Sequence, residues 1–198
     1  MKIGILALQG AFAEHAQMLR TLGADVFEIR QRGDLNQPID GLIIPGGEST
    51  VQLKLLNDLD LLVPVHRMIA NGMPVFGTCA GLILLSKVVD GQTYGGISTM
   101  DMQTCRNAYG RQLGSFYAES TMEGVGEKIP MTFIRAPYIR ALLSSECQTL
   151  ATVDGRIVAA RQGNQLATAF HPELTNDMRV HKFFLSIVFE AIGAKSVP

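Results

Sequence analysis

The sequence predicts an α/β protein with a mostly parallel central sheet, helices on both faces, and antiparallel strands and hairpins in its second half. Two observations carry this reading. Up to about residue 89, short aliphatic runs alternate with amphipathic stretches, the β-α-β order that builds a parallel sheet. Beyond residue 90 that rhythm gives way to alternating segments divided by Gly-containing turns, until one closing helix. The chain has 198 residues, 47% of them hydrophobic, which is enough for a full core. No repeat, linker or low-complexity tract divides it, so residues 1–198 read as one domain.

Each element has its own warrant. Residues 3–8 are a near-continuous aliphatic run, suited to a strand buried on both faces, and Gln9-Gly10 breaks it. Residues 13–22 read as a helix with Ala16, Leu19 and Leu22 on its apolar side and Gly23 as its stop. Residues 25–30 alternate as a half-exposed strand does, and 31–40 form a polar loop. Residues 41–44 are a second buried strand, ending at Pro45-Gly46-Gly47-Glu48-Ser49-Thr50. Ser49 or Thr50 is the expected cap of a helix over 51–57. Another helix spans about 61–70, with Pro64 tolerated in its first turn. Then Met73-Pro74-Val75-Phe76-Gly77-Thr78-Cys79-Ala80-Gly81 reads as strand, tight turn and helix start, the helix running to about residue 87.

In the second half, residues 97–104, 114–121 and 129–135 are candidate strands, and 138–143 a short helical segment. Asp154-Gly155 separates strands over 149–153 and 156–160, and Gly163-Asn164 separates the latter from 165–170. The closing helix covers about 177–192, with Val180, Phe184, Ile187, Val188 and Ala191 on one face and Gly193 as its stop.

Charge and cysteine content exclude several function classes. A net charge of −1, with charges scattered, offers no footprint for nucleic acid or an anionic membrane. Three cysteines, Cys79, Cys105 and Cys147, are too few and too widely spaced for a disulfide framework or a zinc ribbon. No stretch is long and apolar enough to span a bilayer, and the N-terminal apolar run is too short for a secretory signal. A cytoplasmic location is the expectation, and its reducing conditions suit a working thiol.

In an open parallel sheet, ligands bind at the carboxyl ends of the strands. Gln9-Gly10, Gly46-Gly47-Glu48 and Cys79-Ala80 all fall at such ends and should meet along one edge. The strand–turn–helix around Cys79 has the mechanics of a nucleophile elbow, with Gly77 and Gly81 allowing strand and helix to approach closely. A thiol nucleophile needs a base and a group to orient that base. Of the four histidines, His15 and His66 fall in predicted helices among polar neighbours, and the surface is the simpler place for them. His181 is expected to be solvated or half-buried. His171 differs, because it ends a predicted buried strand and is followed by Pro172 and Glu173. In an extended segment residues i and i+2 share a side, so Glu173 can orient the His171 ring. Oxyanion donors are available from the backbone N–H of Ala80 and from Gly46-Gly47. A phosphate loop is excluded, since no Lys-Ser/Thr follows the glycines at the required spacing.

Gly77-Thr78-Cys79-Ala80-Gly81 with a later His171-Pro172-Glu173 resembles the class I (triad) glutamine amidotransferases, whose sheet is flavodoxin-like. Within that class, five separated segments resemble the glutaminase-subunit family of pyridoxal 5′-phosphate synthases. They are Leu6-Ala7-Leu8-Gln9-Gly10, the Pro45–Thr50 turn, the elbow, Arg106-Asn107-Ala108-Tyr109-Gly110-Arg111-Gln112 and Phe133-Ile134-Arg135-Ala136-Pro137. The resemblance implies hydrolysis of L-glutamine to L-glutamate and ammonia, with the ammonia passed to a separate synthase subunit that makes pyridoxal 5′-phosphate. It implies a catalytic triad of Cys79, His171 and Glu173 and an oxyanion hole at Gly47 and Ala80. It places glutamine binding on Gly47, Glu48, Ser49, Arg106, Ile134 and Arg135. Gln9 is a candidate for sensing the partner subunit, and no cofactor or metal is expected.

A carboxylate such as Glu48 suits the α-ammonium of glutamine, and arginine suits its α-carboxylate. The residues do not say which of Arg106 and Arg135 serves. Two rival readings are another amidotransferase or γ-glutamyl hydrolase, and a non-catalytic flavodoxin-like module with an inert Cys79. The first would lack the 106–112 and 133–137 segments, and the second gives His171 and Glu173 no reason to accompany the elbow.

Overall fold

A computed structural model describes residues 1–106 and 114–195 of the chain. The first half runs β1 (Lys2–Leu6), α1 (Phe12–Thr21), β2 (Asp25–Ile29), β3 (Gly41–Ile44), α2 (Ser49–Asp58), α3 (Leu62–Ala70), β4 (Val75–Thr78) and α4 (Ala80–Leu85). The second runs β5 (Ser86–Val89), β6 (Gln92–Thr93), β7 (Met100–Cys105), β8 (Ser115–Met122), β9 (Gly126–Ile134), β10 (Tyr138–Leu142), β11 (Cys147–Val153), β12 (Arg156–Gln162), β13 (Gln165–Thr168) and α5 (Arg179–Lys195). Short 3-10 turns occupy Arg32–Asn36, inside the expected polar loop, and Pro172–Leu174.

Among the described residues, eleven strands form one sheet in the order β2-β1-β3-β4-β13-β12-β10-β7-β5-β6, with β11 paired to β12. Every pairing from β2 to β13 is parallel. The pairings β13–β12, β12–β10 and β10–β7 are antiparallel, which is the expected second half. The hairpin β8–β9 stands as a separate two-stranded sheet, with Phe116 stacked on Phe133 at 4.4 Å.

Strand β4 sits at the middle of this order, and its alternation sorts the helices onto two faces. Phe76 points to one face, where it meets Phe184 of α5 at 5.7 Å and His15 of α1 at 5.9 Å. Gly77 points to the other, where α4 lies so close that a Cβ on Gly77 would stand 2.7 Å from the Gly81 carbonyl carbon. All four residues of β3 and all four of β4 are buried, as suits central strands covered on both faces.

Several boundaries depart from the sequence reading. Helix α4 ends at Leu85, because Ser86 turns into β5 with its hydroxyl donating to Leu82 O at 2.9 Å and lying 2.6 Å from Thr104 Oγ1. Ser49 and Thr50 lie inside α2, whose N-cap is Glu48. Residues 138–142 are strand β10, since Ile139 is buried between β7 and β12 while Arg140 faces out. Gly193 lies within α5, which continues to Lys195.

Candidate functional site

Cys79 stands at the turn between β4 and α4 with φ 47° and ψ −96°. A non-glycine residue held in this region costs about 1–3 kcal/mol, and surrounding contacts must impose it. They are visible here. The Cys79 N–H donates to Thr168 O at 2.8 Å, and the Cys79 carbonyl accepts the first helical bond of α4 from Ile83 N–H at 3.2 Å. Gly81 lets the helix sit against β3, because a Cβ there would lie 2.1 Å from Ile44 O.

His171 follows β13, the strand beside β4, and its N–H donates to Thr132 O of β9 at 2.8 Å. Its Nδ1–H donates to Glu173 Oε1 at 2.7 Å, which leaves Nε2 available to Cys79, a residue of the same cleft wall. The spacing works differently from the extended segment expected. Pro172 opens a 3-10 turn, and that turn swings the Glu173 carboxylate back under the ring. Both side chains are buried. Burial pushes the His171 pKa down, but hydrogen bonds and charge from Cys79 and Glu173 outweigh it and raise it to about 10. For Glu173, burial works against ionisation, yet the neighbouring histidines His15 and His171 bring its pKa below the ordinary carboxylate value. Gly46 packs against this ring, where a Cβ would lie 2.3 Å from His171 Cε1.

The thiol opens onto a cleft of about 680 Å³. It brings together Gln9, Gly47, Glu48, Ser49, Cys79, Arg106, Ile134, Arg135 and His171. Two predicted residues are not in its wall: Glu173 lies behind His171, and Ala80 is the first, buried residue of α4. The wall also includes Thr50, Ile83 and Asp90, which the sequence reading missed. Asp90 had a signal, since Asp-Gly directly follows an apolar run that ends at Val89. Residues 107–112 of the Arg106–Gln112 segment, Tyr109 included, lie outside the described residues.

The charged groups of the cleft are prearranged. Arg135 Nη2 donates to Glu48 Oε1 at 2.8 Å between two largely exposed side chains. Arg106 is held by its Nε and backbone N–H, which donate to Asp90 at 2.7 and 2.9 Å. Gln9 Oε1 accepts the Glu48 N–H at 2.8 Å, tying the first loop to the Gly-Gly turn. A buried thiol–imidazole–carboxylate chain facing a polar cleft is equipped for acyl transfer, with the imidazole moving a proton between thiol and leaving group.

Two histidines are not where the sequence placed them. His15 and His181 are both fully buried, directly behind Glu173. His66 is exposed as expected, with Nδ1 2.7 Å from Ile97 O.

Comparison with known proteins shows the family and the fold. The model of the SNO glutamine amidotransferase family matches residues 5–190. A pyridoxal 5′-phosphate synthase subunit PdxT from Streptococcus pneumoniae (strain CGSP14) is 55% identical over 193 residues, covering 96% of this chain and 98% of that protein. PdxT from Haemophilus influenzae (strain PittGG) is 56% identical over 190 residues, covering 94% and 98%. A crystal structure of a glutamine amidotransferase superposes with a TM-score of 0.88 at 39% identity, covering 94% of this chain and 98% of that one. The PurLQS structure from Thermotoga maritima shares the fold at a TM-score of 0.64 and 13% identity, covering 98% of this chain and 97% of the matched one. Matched by a family model over most of its length and by relatives more than half identical to it, the chain belongs to the SNO glutamine amidotransferase family.

Proposed function

We propose that this chain is the glutaminase subunit of a pyridoxal 5′-phosphate synthase, residues 1–198 forming one amidotransferase domain that works in the cytoplasm. The observation that carries the reading is the buried chain Cys79–His171–Glu173 opening onto a cleft with Glu48, Arg106 and Arg135. Cys79 attacks the side-chain carboxamide of L-glutamine, and backbone N–H groups of Gly47 and Ala80 receive the oxyanion. His171 gives its proton to the departing ammonia, leaving a γ-glutamyl thioester, and then takes a proton from the attacking water to release L-glutamate. Glu173 keeps the imidazole oriented throughout. Gly47, Glu48, Ser49, Arg106, Ile134 and Arg135 hold the amino-acid end of the substrate, and Gln9 reports the partner's presence to the Gly-Gly turn it touches.

The partner is a synthase subunit that consumes the ammonia. The PdxT relatives are named as subunits of such a synthase, which supports the assignment. The test is to mix the chain with a purified synthase subunit, glutamine and the phosphorylated sugars that the synthase uses. Formation of pyridoxal 5′-phosphate that depends on both proteins is expected. Ammonia release with no product would direct the chain to a different acceptor enzyme.

A further inference from the structure

The histidine pair behind the triad has no part in the chemistry above. His15 comes from α1 and His181 from α5, and both have zero exposure. His15 Nδ1 lies 2.9 Å from His181 Nε2. His15 Nε2 lies 3.1 Å from Thr78 Oγ1 and 3.5 Å from Glu173 Oε2. Glu173 Oε2 is buried and has no hydrogen-bond partner among the described residues, and the His15 imidazole stands 3.5 Å from it. Phe76 packs edge-on against both rings at 5.9 Å, which keeps the pocket apolar.

The direction of each proton follows from these partners. An ionised carboxylate only accepts and repels a lone pair, so Glu173 favours a hydrogen on the nitrogen that faces it, which assigns His15 the Nε2–H tautomer over the one in which Nε2 accepts from the Thr78 hydroxyl. Its Nδ1 is then an acceptor, and His181 must supply an Nε2–H to it. That assignment leaves His181 Nδ1 as a bare lone pair, and this buried atom has no hydrogen-bond partner among the described residues. An unpaired acceptor is the cheaper orphan to leave inside a protein. Every proton in the chain therefore points toward Glu173, with His171 donating to one oxygen and His15 facing the other.

We propose that His15 and His181 form a proton-ordered, neutral imidazole pair that fixes the Glu173 carboxylate from behind, which makes His15 a positioning residue of the triad. Burial lowers the pKa of His15, and it lowers that of His181 to about 3, so neither ring brings a full charge at neutral pH. The groups facing His15 are Glu173 and His171 from the site, His181 from α5 and Glu14 from its own helix; His181 faces His15 and Glu173. The inference rests on the glutaminase reading, because it needs a triad to position.

The test compares wild type, His15→Leu and His15→Gln in complex with the synthase subunit, reading ammonia release from glutamine against pH. Gln carries an N–H donor near the Nε2 position of histidine, whereas Leu fills the space without one. His15→Leu is expected to lower kcat about tenfold and move the acidic limb of its pH profile up by about one pH unit, the scale of withdrawing a polar contact from a buried charged group. His15→Gln is expected to restore most of both. In uniformly ¹⁵N-labelled wild type, the ring signals should show His15 and His181 neutral with the proton on Nε2. A folded His15→Leu with the wild-type profile would overturn the proposal. So would a His15→Gln as impaired as the Leu variant, or a proton on Nδ1 of His15. Should His15→Leu not fold, the Gln variant and the wild-type spectrum decide the matter. A wild type that releases no ammonia would instead refute the glutaminase reading.

Discussion

Thr78 and Thr168 are register partners in the adjacent parallel strands β4 and β13, and this pairing is what makes Cys79 and His171 neighbours. Both strands end at the same edge of the sheet, and the Cys79 N–H closes the pairing by donating to Thr168 O at 2.8 Å. A shift of one residue between these strands would turn His171 away from the thiol. The strained φ of Cys79 is maintained by the same contacts, with α4 locked on β3 and β4 through Gly81 and Gly77.

His171→Asn removes the group that moves the proton and is expected to cost several orders of magnitude in kcat. The double variant with Cys79→Ala should cost little more than either change alone, because members of a triad act as a unit. Steady-state ammonia release by the three variants, measured in the complex, checks this. Strictly additive losses would mean that the thiol and the imidazole act independently.

The ion pair His171–Glu173 gives stability a defined pH window. The folded pKa of His171 is raised, so its contribution is fully present below the ordinary histidine value near 6.5 and is lost as pH rises through about 10. The folded pKa of Glu173 is lowered, so its contribution is present above the ordinary value of 4.5 and is lost as pH falls through the lower folded one. Calorimetric melting temperatures should therefore fall at both ends of the pH range, and Glu173→Gln should flatten both limbs. The same variant should lower kcat by about 10²-fold or more, since a neutral amide cannot orient and stabilise the imidazolium. An unchanged Tm–pH curve in Glu173→Gln would remove the pair from the account.

Gly81→Ala tests the elbow's packing. The added Cβ would meet Ile44 O at 2.1 Å, a backbone atom that cannot rotate aside. A loss of roughly 1–3 kcal/mol is expected, toward the upper end because the clash is with backbone. Urea unfolding gives the number, and a variant as stable as wild type would show that α4 is free to slide on β3.

Asp90→Ala should act on binding rather than on chemistry. It frees the Arg106 guanidinium, now held at 2.7 Å through Nε, at the wall of the cleft. An exposed ion pair is worth up to about 1 kcal/mol, so KM for glutamine should rise roughly fivefold with kcat little changed. A fall in kcat with constant KM would place Asp90 in the chemistry instead.

Much of the parallel half was legible because its central strands are buried on both faces and carry no charged residue, as residues 41–44 and 75–78 show. Glycines and turn pairs marked where these strands stop. The site was legible for the same reason: a parallel sheet gathers its loops at one edge, so Gln9, Gly47 and Cys79 had to converge. Residues 138–142 misled because a short mixed run carries no period long enough to separate helix from strand. The buried histidines were misplaced by composition, although periodicity held the answer. His15 is three residues from Phe12 and four from Leu19, and His181 is three from Phe184 and seven from Val188, so each lies on its helix's apolar stripe. Only the structure shows why a polar ring belongs there, which is the buried carboxylate of Glu173 packed against this face of α1.

The central claim is that Cys79 attacks glutamine, and Cys79→Ala tests it most directly. Truncation to Ala keeps the Cβ and both backbone bonds of the elbow, Cys79 N–H to Thr168 O at 2.8 Å and Ile83 N–H to Cys79 O at 3.2 Å, so it should not disturb the fold. Ammonia release from glutamine by wild type and Cys79→Ala, each saturated with the synthase subunit, is the measurement. Turnover should vanish to background in the variant while the melting curve and complex formation stay intact. Turnover close to wild type in a folded, complexed Cys79→Ala would contradict the account.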